Sequence, residues 1–152
     1  MNLKLKTHLW YIVILRLWIG YYFFQQGIKK FLHDFPNNDW IGRQIGDIPM
    51  LDLYPWYKSF LQTIVVPHHV LFGYLVMCGE TLVGICLFLG ILTRISSFVG
   101  IFILLNLFLG IGMVKGGASL AQQQTFILLM VVFILSNAGK TLGLDAYLFK
   151  RK

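Results

Sequence analysis

VLFGYLVMCGETLVGICLFLGILTRISSFVGIFILLNLFLGIGMV, running from Val70 to Val114, is the stretch that decides the fold. A membrane-spanning helix needs about 20 predominantly apolar residues, and Thr93-Arg94 divides this stretch into two runs of that length, Val70–Leu92 and Ile95–Val114. With so short a connection the two helices form a tight antiparallel hairpin. Working outward, Thr7–Gln25 reads as an earlier span. Gln124–Asn137 reads as a later, shorter one that draws in Leu120–Gln123 to cross, followed by an interfacial tail from Lys140 to Lys152.

The composition supports this reading. Hydrophobic residues make up 57% of the chain and charged residues 12%, against about 25% charged in an average soluble domain, and the mean hydropathy is +0.72. A water-soluble fold cannot hide that much apolar surface. The expected architecture is an all-α integral membrane protein. It is one domain over residues 1–152, a bundle of four transmembrane helices with approximate spans 7–25, 70–92, 95–114 and 120–137. The lipid bilayer is its solvent. Met1–Gly27 begins with the basic Lys4 and Lys6 of a signal peptide, but Arg16 interrupts its apolar stretch and no small-residue cleavage site follows, so it reads as a retained helix.

The net charge of +7 lies in the segments between apolar runs and at the chain ends, where membrane topology accounts for it and nucleic acid does not. One side collects Lys4, Lys6, Arg94, Lys140, Lys150, Arg151 and Lys152; the other holds Lys29, Lys30, Arg43, Lys58 and Lys115 among four aspartates. The expectation is a multi-pass protein of the cell (plasma) membrane with both termini cytoplasmic. Ile28–His69 then lies outside. Within it, Lys58, Ser59, Gln62 and Thr63 repeat at helical spacing opposite Tyr57, Phe60, Leu61 and Ile64, which predicts a short amphipathic helix on the outer interface, opened by Pro55 and stopped by Pro67. Trp40, Tyr54, Trp56 and Tyr57 fit an aromatic belt at that level.

Two ionisable side chains lie deep in apolar runs, Arg16 and Glu80, and such groups need a partner or water. Counted from the outer ends of their spans, Arg16, Glu80 and Asn106 fall at a common depth of about 12–15 Å. They are the candidate catalytic residues. Their functional reading is a proton-transfer or polar-headgroup site; the alternative is an Arg16–Glu80 pair that fixes helix register. A second polar group gathers at the outer mouth: Gln25, Gln26, Lys29, Lys30, His33, Lys58, His68 and His69, with Gln122, Gln123 and Gln124 across the bundle. It reads either as a receptor for a small anion or quinone headgroup, or as interfacial solvation. The histidine pattern carries no clear metal-site signal, so no metal is expected. Cys78 and Cys86, about 12 Å apart along one helix, cannot bridge each other.

The sequence resembles the DoxX family, in particular its DoxD-like branch, the small subunit of thiosulfate:quinone oxidoreductase. The resemblance is carried by Arg16-Leu-Trp-Ile-Gly20, Gly27-Ile-Lys-Lys-Phe31, Trp56-Tyr57 with Phe60, Pro67-His68, and Gly79-Glu80 with Gly84. Glu80 standing ahead of Leu89-Gly90-Ile-Leu-Thr-Arg94 is the most specific part, and Gly139 and Leu144-Asp145 resemble the family's ending. It implies a membrane subunit of a quinone-linked oxidoreductase, with thiosulfate as the suggested donor, a second subunit as partner, quinone as substrate and no covalently bound cofactor. The expected quinone-contacting residues are Gln26, Lys29, Lys30, Trp56, His68, His69 and Arg94. A different class of function, a non-catalytic scaffold or small transporter-like bundle, would leave the bundle interior filled.

Overall fold

The computed structural model of the chain describes residues 10–37, 54–112, 117–136, 138–140 and 143–145, and all regular structure among them is helical. The long helices are α1 (Trp10–Leu32), α3 (His69–Leu89), α4 (Thr93–Leu107, continued as π-helix over Phe108–Gly112) and α5 (Gly117–Ser136). The short α2 (Pro55–Phe60) continues as π-helix over Leu61–Val65. Among the described residues three helical stretches are long and apolar enough to cross a membrane: His69–Leu89, Thr93–Gly110 and Gly117–Ser136, with mean hydropathies of 2.0, 1.7 and 1.8. At 23 residues α1 is as long, but Arg16, Gln25, Gln26, Lys29 and Lys30 dilute its apolar content.

The helix bounds differ from those of the expected spans. The first helix does not stop at Gln25 but runs to Leu32, because polar residues end a hydrophobic run without ending a helix. The hairpin turn is Gly90–Leu92, not Thr93-Arg94, and Thr93 already opens α4. Gly90 closes α3 at φ +68, a left-handed conformation that glycine adopts without steric cost; its N–H reaches the Leu87 carbonyl and that of Ile91 the Cys86 carbonyl, so the last carbonyls of α3 are satisfied. The fourth long helix begins at Gly117 and has 20 residues without borrowing a turn. Trp40, Arg43, Lys115 and the expected tail after Asp145 lie outside the described residues.

α1 packs along α3 and α4 along α5, with the α3–α4 hairpin joining the pairs. One core draws on all four long helices: Ile19 and Phe23, Val83 and Leu87, Ile103 and Leu104, Met130 and Phe133. The large apolar residues turned outward include Trp18, Phe102, Leu128 and Leu135, the inverse of a soluble bundle and the distribution a lipid solvent favours. A Cβ on Gly20 would lie 2.6 Å from the Phe88 nitrogen, one on Gly27 2.8 Å from that of Thr81, and one on Gly84 2.7 Å from the Phe24 Cα. Backbones therefore meet directly along the α1–α3 seam, as small residues permit between membrane helices. These contacts fix the register: Leu32 ends level with the second turn of α3, leaving α3 to project by about 10 Å. Against this region sits the α2 segment, whose Tyr57, Leu61 and Val65 pack with Phe72 and Leu109, while Trp56, Ser59, Gln62 and Thr63 face away. Pro55 stands in the first turn of α2 as its spacing predicts.

Candidate functional site

The register of α1 against α3 decides which polar groups meet. Arg16 comes level with Gly90, where a Cβ would lie 2.8 Å from its Nη1. Gly90 stands ten residues beyond Glu80 on α3, about 15 Å along the axis. The expected common depth of Arg16 and Glu80 is thus corrected: counting inward from Gln25 and Val70 puts α1 about three turns out of register. Asn106 joins neither group. Its side-chain amide donates to the Phe102 carbonyl of its own helix, and its backbone carbonyl accepts from the Tyr57 hydroxyl at 2.9 Å.

At the Arg16 end the chain ties a knot. Arg16 is 1% exposed and its Nη1 donates to the Ala138 carbonyl at 2.6 Å. Gly143 packs against the same guanidinium. Asp145, also buried, accepts from the Leu92 N–H at 2.7 Å, the Thr93 N–H at 3.0 Å and the Thr93 hydroxyl at 2.5 Å. It caps α4 from a distant segment, satisfying N–H groups that a helix start leaves orphaned and holding Leu92 at φ +47. Its own N–H donates to the Gly90 carbonyl. The space is full: a Cβ on Gly139 would strike both Thr93 and Asp145.

The other end differs. Tyr22, Gln26 and Lys30 recur every four residues and form one stripe of α1. Lys30 makes an ion pair with Glu80, the lysine side chain 20% and the carboxylate 4% exposed. Beside them opens a cavity of about 120 Å³. Its polar wall is Tyr22, Gln26, Lys30, Glu80, Gln122 and Gln123; its apolar wall is Phe23, Leu104, Leu107 and Phe126. Tyr22 and Phe126 meet edge to face, ring centroids 4.8 Å apart, and the Gln122 amide donates to the Tyr22 hydroxyl at 2.8 Å. An ion pair and three amides around an aromatic-walled space can hydrogen-bond a neutral ring bearing oxygens and exchange a proton with it.

The family model for the TQO small subunit DoxD matches residues 11–152. The chain belongs to the DoxD family. Comparison with curated proteins and with solved structures gave no match.

In this DoxD-family chain the expected contact residues divide. Gln26 and Lys30 line the cavity with Glu80. Lys29 is exposed on α1 and Trp56 is 63% exposed on α2. His68 and His69 direct Nδ1 to the Ile64 and Val66 carbonyls near the start of α3. Arg94 lies at the far end, where its Nε donates to the Ile134 carbonyl at 3.3 Å. Gln122 and Gln123, which the sequence assigns to the mouth, do reach the cavity. Tyr22 falls outside the expected set, though its place one turn before Gln26 and two before Lys30 is a usable signal. Asp145 is legible in the sequence only as part of a family-like ending.

Proposed function

We propose that this chain is the membrane subunit of a quinone-linked oxidoreductase and that the Lys30–Glu80 cavity receives the quinone headgroup. The observation that carries the reading is a half-buried ion pair, its carboxylate almost fully enclosed, on the wall of an aromatic-lined space. An apolar cavity of about 150 Å³ admits benzene, so the opening here is of the order of a single ring, with any tail left in the lipid. Reducing a quinone to a quinol takes two electrons and two protons. The electrons come from a sulfur donor, thiosulfate by the family's name, oxidised at a partner subunit. Glu80 takes up the two protons one after the other from the water that Lys30 reaches and passes each to a ring oxygen, and Lys30 balances the carboxylate charge between transfers.

In this proposal α1 crosses the bilayer as the fourth span, α2 lies on the outer face, and both termini are cytoplasmic, following the Lys/Arg count of seven against five. A single cysteine placed between Pro36 and Asp47 reports the topology: it labels from outside. Labelling from the cytoplasmic side alone reverses it.

The functional test is Glu80→Gln in the assembled complex, with membrane abundance and quinone reduction measured on one preparation. Glutamine keeps the shape and hydrogen bonding but carries no exchangeable acid proton, so turnover falls while abundance holds. Normal turnover removes Glu80 from the reaction. The scaffold reading, favoured by the filled Arg16 end, predicts lost abundance instead.

A further inference from the structure

Gln123 is the unsatisfied member of the cavity wall. Its Oε1 is buried with no hydrogen-bond partner among the described residues, whereas buried polar atoms in folded proteins nearly always have one. It projects from α5, across the cavity from the α1 and α3 groups that carry Lys30 and Glu80. An amide holds an acceptor and a donor on one planar head. A quinone oxygen is an acceptor and needs a donor; a quinol hydroxyl can donate to an acceptor.

Resting on the quinone reading above, we infer that Gln123 is the group that holds the ring in both redox states, offering its NH2 to the quinone carbonyl and its oxygen to the quinol hydroxyl. A half-turn about the last side-chain torsion exchanges the two, and this torsion is broad and roughly two-fold. The Tyr22 hydroxyl shares the wall and already accepts from Gln122 at 2.8 Å, which leaves its own hydrogen to donate. A tyrosine can donate to the quinone, but it matches the quinol less well than an amide that presents a carbonyl oxygen. The glutamine is therefore the residue that equalises affinity for substrate and product, so that product leaves as readily as substrate enters.

The test is equilibrium binding of duroquinone and duroquinol to the full chain, with its co-purifying subunit, in lipid nanodiscs by calorimetry. The wild type is expected to bind the two forms within about threefold of each other. Measured at alkaline pH, where its carboxyl is ionised and accepts without donating, Gln123→Glu should weaken the quinone by about tenfold or more while leaving the quinol within about threefold. Gln123→Met, close in shape and without an amide, should weaken both by about tenfold and carries the test if the added carboxylate prevents folding. Leu128→Ala, 67% exposed on the same helix, should change neither. If the wild type binds both forms and the Gln123 variants bind both unchanged, or Gln123→Glu loses both alike while Gln123→Met stays folded and loses neither, the inference is overturned and the quinone reading stands. If the wild type binds neither form, the quinone reading itself falls, and the inference with it.

Discussion

Arg16 and Lys30 ride on the same helix, about 21 Å apart along its axis, and each brings a positive charge into the bundle, yet the two ends treat that charge differently. Around Arg16 the neighbours are backbone carbonyls, glycines without room for a Cβ, and an aspartate spent on capping a helix. Around Lys30 the neighbours are a carboxylate, amides, a phenol and open space. An intramembrane charge is a functional hypothesis by default, but the default discriminates poorly until one asks what lies beside the charge. Where packing closes over it, the charge serves assembly; where a cavity remains, it can serve a ligand.

The largest loss of stability is expected at the Arg16 end. Asp145→Ala removes the acceptor of three hydrogen bonds and leaves a buried guanidinium without its carboxylate neighbour, so a loss of about 3–5 kcal/mol is expected, read as a collapse of membrane abundance and of the thermal midpoint in detergent. Abundance equal to wild type would mean that the knot is dispensable. Next comes the seam that sets the register. Gly84→Leu drives a side chain into the Phe24 backbone and should cost about 1–3 kcal/mol, as overpacking does; an unchanged midpoint would show that α1 and α3 do not meet there.

At the cavity end the order of effects reverses between stability and activity. Glu80→Gln should shift stability by less than about 1 kcal/mol, because the remaining Lys30 ammonium is partly exposed and reaches water, while quinone reduction falls about 10²-fold or more. A similarly small effect on stability belongs to Tyr57. Burial pushes its phenol above the ordinary value of 10.0, so the neutral form stabilises the fold. That contribution is complete below pH 10 and is lost as pH rises through the folded value. Tyr57→Phe loses one bond to the Asn106 carbonyl, about 0.5–1.5 kcal/mol, and should flatten the alkaline limb of the stability curve above pH 10. An unaltered limb would assign that pH dependence elsewhere.

Hydropathy alone locates α3, α4 and α5, since lipid solvation demands long apolar runs, and Glu80 stands out as a carboxylate inside one. The register of α1 is not legible in the same way. It is set by Gly20, Gly27 and Gly84 meeting backbone across a seam, and a single sequence encodes which residues are small without encoding what they face. Ending α1 at Gln25 moves Arg16 to the depth of Glu80 and hides the true partner, Lys30, among the residues of the mouth. The cap supplied by Asp145 is beyond reach for a similar reason: it joins a helix start to a residue more than fifty positions away, and no periodicity links them.

Glu80 answers to Lys30 and not to Arg16, and a pair of double-mutant cycles on thermal or denaturant unfolding in detergent separates the two partners. Cycles built from Lys30→Met with Glu80→Gln, and from Arg16→Met with Glu80→Gln, measure coupling without reference to any activity. An interaction energy of about 0.5–3 kcal/mol is expected for the Lys30 cycle and additivity within about 0.3–0.5 kcal/mol for the Arg16 cycle. Additivity between Lys30 and Glu80 with strong coupling between Arg16 and Glu80 would contradict it.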